Sequence, residues 1–263
     1  MSSATVESVS QRAARARRLA WTIVVVCAIA GCRGSAAHRD QDEYVDDVVA
    51  FTKTTKDEVR AKMKQGAVPL AQEWATWEQQ GAMTPARIKA FYKQTANYIY
   101  ELGQWHLWLA DKRKSDLALV EDMRTKYKPK NILDFGGGVG LNALQLARAG
   151  FDVTLADLDS TTLQFAAFRA QRHGVPLKIW KSDVEPAPID PTYDVILVLD
   201  VLEHLPKDEL HAIVDQLIRL KHPGTQIILS APFGRTATHP MHLDETEDTK
   251  QQIRRLQTEL PGT

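Results

Sequence analysis

The sequence predicts an α/β protein: a doubly wound parallel sheet with helices on both faces, preceded by a helical N-terminal region. Three observations carry that expectation. From Asn131 onward, short apolar runs alternate with helix-length amphipathic stretches, the pattern of a parallel sheet covered on both sides. The stretch NILDFGGGVGLNALQLARAG (131–150) puts four glycines within five positions, between an apolar run and an amphipathic one. Before residue 130 the apolar spacing is helical and strand-like runs are absent.

The 263 residues carry 33 basic and 33 acidic side chains, so the net charge is zero. Nothing in that balance points to bulk attraction to nucleic acid or an anionic membrane. A hydrophobic fraction of 44% with 25% charged residues is ordinary for a globular chain. Both cysteines, Cys27 and Cys32, lie near the N-terminus, so the folded part must rely on a packed core rather than a disulfide framework.

Residues 1–40 are expected to be a signal-like or membrane-anchor segment with a linker. A basic block, RAARARR (12–18), precedes the apolar run LAWTIVVVCAIA (19–30). That run is short for a membrane span of roughly 20 residues and suits the apolar region of an export signal. Ile29-Ala30-Gly31-Cys32 resembles a bacterial lipoprotein cleavage box, in which Cys32 would carry the lipid; an untidy N-terminal extension from a start codon set too far upstream is the alternative. Residues 33–48 read as a polar linker. The helical region over 41–128 shows a capping box at Thr55 and Glu58 and a start signal at Thr84-Pro85. Apolar residues recur at helical spacing from Ala86 to Leu102, Gly103 interrupts, and Ser115 is placed to cap a further helix ending near Tyr127, before Pro129.

Over 129–263 the predicted strands are NILDF (131–135), DVTLAD (152–157), PLKIWKS (176–182), YDVILVL (193–199) and TQIILSA (225–231). The helices between them are LNALQLARA, TTLQFAAFRAQRH (capped by Ser160) and KDELHAIVDQLIRLKH. ETEDTKQQIRRLQTEL (245–260) reads as a polar helix.

In such a sheet, ligands bind at the carboxyl ends of the strands. Glycines after the first strand let the backbone turn sharply and let a ligand approach without Cβ interference. Two ligand classes use that arrangement. The dinucleotide pattern G-x-G-x-x-G fails from Gly136, where Leu141 replaces the third glycine, and is only weakly met from Gly138. The pattern D-x-G-x-G-x-G is met by Asp134, Gly136, Gly138 and Gly140.

With that pattern, LADLDS (155–160), KSDVE (181–185), YDVILVLDVLEHL (193–205) and GTQIILSAPFGR (224–235) follow in order and spacing. Together these stretches resemble the class I S-adenosylmethionine-dependent methyltransferases, in the branch that includes the ubiquinone-pathway O-methyltransferases. The resemblance runs from about Asn131 to Pro232. It implies a Rossmann-like fold and S-adenosylmethionine as cofactor. It implies that Asp134, Gly136, Gly138 and Gly140 lie along the cofactor, with Leu158 and Leu199 beside it. Asp157 would hold the ribose hydroxyls, Asp183 the adenine amino group, and Val184 would neighbour the ring.

After the fourth strand, Asp200, Glu203 and His204 stand at i, i+3 and i+4, so a helical segment would set them on one face. Glu203 and His204 are the catalytic candidates, His204 as general base, with a purely structural pair as the alternative. The same spacing suits a divalent metal, a role that is not favoured. His239 and His242, in THPMHLD, follow the fifth strand, as cleft residues or as plain loop histidines. The acceptor implied is a small molecule bearing an O or N nucleophile, with no nucleic acid. Two other readings are a NAD(P)-dependent oxidoreductase and an exported lipoprotein with a non-catalytic methyltransferase-like domain. The need for the cofactor favours the cytoplasm, with or without a membrane tether. The family's terminal antiparallel hairpin is expected to be missing.

Overall fold

In a computed structural model, residues 38–187 and 192–259 are described; the signal-like run and both cysteines lie outside them. The chain divides into two compact units, Met1–Tyr44 and Val45–Thr263. The described part of the first, 38–44, is helical.

Helix α1 spans 38–52, where a linker was expected through residue 48. The chain orders here because Val45 and Val48 are buried, and because buried Asp47 meets two arginines and a histidine. Arg169 Nε, Arg172 Nε and His173 Nε2 lie 3.1, 3.1 and 2.8 Å from its carboxylate. Next come α2 (Lys56–Lys64), α3 (Val68–Gln79), α4 (Pro85–Gln94), α5 (Asn97–Trp108) and α6 (Ala110–Asp122), then a π-turn, Met123–Tyr127. The capping box of Thr55 and Glu58 forms, and Thr84 caps α4 with Pro85 at the first helical position.

Two boundaries differ from expectation. The break falls at Thr95-Ala96, and Gly103 sits buried inside α5. Half-buried hydrogen bonds to Glu73 explain it: Thr95 Oγ1 and Asn97 Nδ2 donate to Glu73 Oε2 at 2.6 and 2.7 Å, locking an extended residue between the helices. Ser115 lies within α6 rather than at its start. The turn is set by Leu109, which is extended and offers no side-chain cap.

The sheet has five parallel strands in the order β3-β2-β1-β4-β5: β1 (Asn131–Phe135), β2 (Asp152–Asp157), β3 (Leu177–Lys181), β4 (Val195–Leu199) and β5 (Gln226–Ser230). Helices α7 (Leu141–Arg148), α8 (Thr161–Arg172) and α9 (Lys207–Arg219) connect them, and α10 (Glu247–Thr258) follows β5. Side chains alternate between faces, as the two-residue period of a strand demands. On β4, Val195 and Leu197 pack with Ala143 and Leu146 of α7 and Leu163 and Ala166 of α8. Ile196 and Val198 pack on the other face with Leu210, Val214 and Leu217 of α9 and Leu256 of α10. Among the described residues no antiparallel strand follows β5. Instead α10 lies on α9, its C-terminal turn held by buried Lys221, whose Nζ donates to the carbonyls of Leu256 and Glu259 at 2.7 and 2.6 Å. Among the described residues, no helix is long and apolar enough to cross a membrane.

Strand order reverses between β1 and β4, which opens a crevice at their carboxyl ends. The glycine loop enters it. Gly140 opens α7 at φ 69°, and a Cβ there would stand 3.0 Å from Ala166 and 3.1 Å from Leu155. Gly140→Ala should therefore destabilise the fold by about 1–3 kcal/mol, from left-handed strain and crowding, measured as a lower urea midpoint with an unchanged slope.

Candidate functional site

The crevice holds a cavity of ≈ 1270 Å³, larger than the roughly 300–1,000 Å³ of a pocket for one small ligand. One end lies under the glycine loop and the other under the histidines after β4 and β5.

At the glycine end, β1 delivers Asp134 and the loop Gly136–Gly138. Gly136 and Gly138 have φ of 72° and 54°. Added Cβ atoms would strike Val201 at 2.4 Å and Leu102 at 2.9 Å, so these positions keep the backbone bare where it faces the cavity. Asp157, at the tip of β2, ties this loop down: the Gly138 N–H donates to its Oδ2 at 2.7 Å and the Leu158 N–H to its Oδ1 at 2.6 Å. Burial pushes the Asp157 carboxyl up to about 6, against those two amides. Asp134 is buried too and is pushed up to about 7, by burial first and then by the Asp157 charge. Its Oδ2 has no hydrogen-bond partner, and neither does Oδ1 of buried Asn142 on α7.

Asp183 reaches the same cavity from the turn after β3. Its Oδ1 accepts the Asp159 N–H at 2.8 Å, its Oδ2 accepts from Lys93 Nζ of α4 at 2.7 Å, and Lys89 Nζ stands 3.9 Å away. Burial would raise this carboxyl, but the Lys93 bond, the Asp159 amide and the two lysine charges together hold it below the usual range.

The structure thus gathers Asp134, Gly136, Gly138, Asp157, Leu158, Asp183, Leu199, Glu203 and His204 around one cavity. Two expected residues do not join them. Val184 is 58% exposed and lies outside the lining, because the turn closed by its own N–H on the Lys181 carbonyl points its side chain to solvent. Gly140 is also outside the lining; its role is the tight packing of α7 on β2 and α8.

At the other end, the expectation of one helical face for Asp200, Glu203 and His204 is corrected. Asp200 is left-handed, at φ 58°, and only Leu202–His204 form a short 3-10 turn. Asp200 is held by β5 instead: its N–H donates to the Ser230 carbonyl at 2.8 Å, and Ser230 Oγ donates to its Oδ1 at 2.6 Å. Glu203 still turns inward. It is fully buried and neither carboxyl oxygen has a partner; burial pushes it up to about 8. His204 Nδ1 lies 2.8 Å from the Tyr92 hydroxyl, and its Nε2 is 3.9 Å from Glu203 Oε1. Burial and the neighbouring imidazoles of His242 and His239 hold it down to about 3, so it is neutral at physiological pH.

His239 and His242 both line the cavity. The His242 ring centre is 4.8 Å from that of His204 and 5.0 Å from that of His239. Ligand atoms of Glu203, His204 and His242 all lie within 4.8 Å of one another, a donor set that fits a divalent cation.

Sequence reasoning missed Glu101, Lys93 and Asn142. Glu101 and Asn142 looked like ordinary polar positions on helices. Only the i,i+4 pair Lys89 and Lys93 gave a signal, a basic stripe on α4 that could meet an acid from the sheet.

The family pattern described as "Methyltransferase domain" matches residues 132–224. The ubiquinone biosynthesis O-methyltransferase of Rickettsia conorii is 32% identical over 113 residues, 43% of this chain and 38% of that protein. That of Rickettsia typhi is 33% identical over 144 residues, 54% of this chain and 58% of that protein. The apo crystal structure of the S-adenosylmethionine-dependent methyltransferase SibL is 16% identical, with 84% of this chain and 70% of that one covered at a TM-score of 0.44. The chain thus spans between 38% and 58% of the length of these two curated relatives.

Four carboxyls at this crevice, Glu101, Asp134, Asp157 and Glu203, have raised affinities for protons. In the unfolded chain Glu101 ionises near 4.5, whereas burial and the Asp200 charge push it up to about 7 in the fold. A raised carboxyl adds stability fully below its unfolded pKa and loses it as pH rises through the folded value. The ligand-free protein should lose stability between about pH 4.5 and 7, with Asp134 and Asp157 adding to the trend. Glu101→Gln should flatten that dependence by on the order of 3 kcal/mol, read from denaturant unfolding at a series of pH values.

Proposed function

We infer, from a chain whose residues 132–224 match a methyltransferase-domain pattern, that the protein is a class I S-adenosylmethionine-dependent enzyme that transfers a methyl group to an O or N atom of a small-molecule acceptor. The observation that carries this reading is the bare glycine loop fastened to Asp157, with Asp134 and Asp183 opening onto the same cavity. We take residues 129–263 as the cofactor-binding domain and 41–128 as a helical cover on the acceptor side.

The residues present fit the cofactor. A Cβ at Gly136 or Gly138 would collide with Val201 or Leu102 of the cavity wall, and Asp134 presents a buried oxygen with no partner, suited to a cationic amino group. Asp157 has acceptor capacity left on both oxygens for ribose hydroxyls, since a carboxylate offers about four lone-pair sites. Asp183 has the same spare capacity toward an adenine amino group. The cofactor, when bound, supplies an electrophilic methyl carbon on a sulfonium.

The protein's share is alignment and a nucleophile in the right protonation state. Holding both partners in line lowers the barrier by several kcal/mol, up to roughly 7–11 in favourable cases. Neutral His204 can accept a proton from an acceptor hydroxyl or ammonium, with Tyr92 fixing its ring through Nδ1. Its depressed affinity for protons limits it as a base for a weakly acidic hydroxyl. That limit is a specific reason for a second reading of the same trio, in which Glu203, His204 and His242 hold a divalent cation that lowers the acceptor's pKa.

The curated relatives named above act in ubiquinone biosynthesis, which makes a phenolic acceptor the first class to screen. A phenol suits the aromatic wall of Tyr92, Tyr98 and Phe233. We place the domain in the cytoplasm with its cofactor, with or without a tether at the N-terminus; mass spectrometry of the native N-terminus finding a lipid on Cys32 of an exported protein would reverse that placement.

Calorimetric titration should show binding of S-adenosylhomocysteine and none of NAD; the opposite result would sink the methyltransferase reading. Asp157→Ala should weaken the former by at least tenfold, about 1.4 kcal/mol. With an acceptor found, His204→Ala should lower kcat by roughly 10²–10⁴-fold as the loss of a general base. Loss of turnover on chelation, restored by a divalent cation, would select the metal reading, and indifference to chelator would eliminate it.

A further inference from the structure

The histidine end of the cavity carries carboxyls that the protein itself leaves unanswered. Glu203, on the turn after β4, is fully buried, lines the cavity and has no hydrogen-bond partner on either carboxyl oxygen. His204 Nε2, 3.9 Å from its Oε1, is too far away to donate. Glu101, on α5, is buried and lines the same cavity. Tyr98, Glu101 and Trp105 follow one another at helical spacing on α5 and all line it, which sets neighbouring Cβ atoms about 5–6 Å apart. A chain of rings joins the two acids. Tyr98 lies 5.8 Å from Tyr92 between ring centres, Tyr92 lies 5.4 Å from His204, and His204 adjoins Glu203.

The neighbouring charge that acts on both acids is that of a third carboxyl, Asp200. The cations that line the cavity are placed elsewhere. Lys89 stands 3.9 Å from Asp183, and Lys112 donates to Asp116. Arg219 ends α9, about 18 Å along that helix from Lys207. A buried acceptor left unpaired costs free energy that a bound donor recovers, and a buried carboxylate calls for a cation. The rings between the acids add to that preference, since an aromatic face attracts positive charge. A phenol would pack on the same rings, but it brings one donor where a primary ammonium brings three. Once ionised, it would also meet carboxylates of its own sign.

We propose that the methyl acceptor is an amine bound as its ammonium ion, with Glu203 and Glu101 accepting its N–H groups and Tyr92 and Tyr98 forming the wall beside it. The inference rests on the methyltransferase reading above and selects nitrogen from the O and N acceptors which that reading allows. Glu203 and Glu101 then determine specificity by the charge of the acceptor.

The test uses the full chain loaded with saturating S-adenosylhomocysteine, in chelator so that no divalent cation occupies Glu203. Two probes of matched shape are titrated calorimetrically: phenethylamine, cationic at neutral pH, and 2-phenylethanol, which is neutral. Wild type should favour the amine by about tenfold or more, as for hydrogen bonds to a charged group. Glu203→Gln should bring the two affinities to within about twofold of each other, and Glu101→Gln should lower the preference by about threefold or more. A structural role for either acid would change both probes alike. Equal affinities in wild type, binding of neither probe, or a preference that Glu203→Gln leaves intact would overturn the inference. Should Glu203→Gln fail to load with S-adenosylhomocysteine, Glu101→Gln carries the comparison, and an unchanged preference there is fatal. Methyl transfer to 4-ethylphenol with none to phenethylamine would also overturn it while leaving the methyltransferase reading in place. Wild type failing to bind S-adenosylhomocysteine would instead remove that reading.

Discussion

The molecule is organised around one contact: the carboxylate of Asp157 at the tip of β2 accepting the amide of Gly138 in the loop after β1. The loop could not make it with side chains in place, because Gly136 and Gly138 are left-handed and an added Cβ at either would collide with a neighbour. The carboxylate in turn must be buried to reach the loop, and burial raises its affinity for protons. Glycine removes the strain of the left-handed turn, and the desolvation of the carboxylate is partly offset by its two short charge-assisted hydrogen bonds. The result is a cleft floor whose shape is set before any ligand arrives, which is what alignment chemistry requires.

The cover depends on that floor. Helix α4 is fastened to the sheet by Lys93 on Asp183 and by Tyr92 against His204. The loop after β5 joins the same layer, since Met241 is buried among Leu70, Trp74, Ile88 and Phe91. These contacts use groups that a ligand also needs, yet they do not exhaust them. Asp183 accepts one amide and one ammonium and retains acceptor capacity. The cover is held by the same charges that face the cavity.

Much of this was legible in the sequence. The five strands fall within their apolar runs, the capping signals at Thr55, Thr84 and Ser160 form as read, and the polar helix after β5 takes the place of an antiparallel hairpin among the described residues. Those features are local: period, caps and glycine spacing decide them. The errors share a different cause. Residues 38–48 are helical because Asp47 finds cations on α8, more than 120 positions away in sequence. The helix break moves from Gly103 to Thr95 because Glu73 binds Thr95 and Asn97. The triad after β4 does not lie along one helix because Asp200 is drawn to Ser230 of the neighbouring strand. Each is a long-range polar contact overriding a local preference, which no periodicity records. The candidate site was legible for the residues at strand ends and less so for those on helices, since Glu101 of the cover and Asn142 of α7 carry no mark of what they will face.

The departures from ordinary rules are not scattered. Among the described residues, apart from Trp74, the buried side-chain atoms without partners are on Asp134, Asn142, Asp159 and Glu203, all at or beside the carboxyl ends of the strands. A left-handed non-glycine residue inside the sheet region, Asp200, lies there as well, and so do the carboxyls held near neutrality by burial. The two faces of the sheet, by contrast, alternate and pack without such faults. A chain selected only for stability would have no reason to concentrate orphaned acceptors and strain in one crevice, since each costs on the order of 1–3 kcal/mol. Their concentration makes physical sense if a cationic, hydroxyl-rich ligand completes the missing partners, and the irregularities of the fold then coincide with the place where it works.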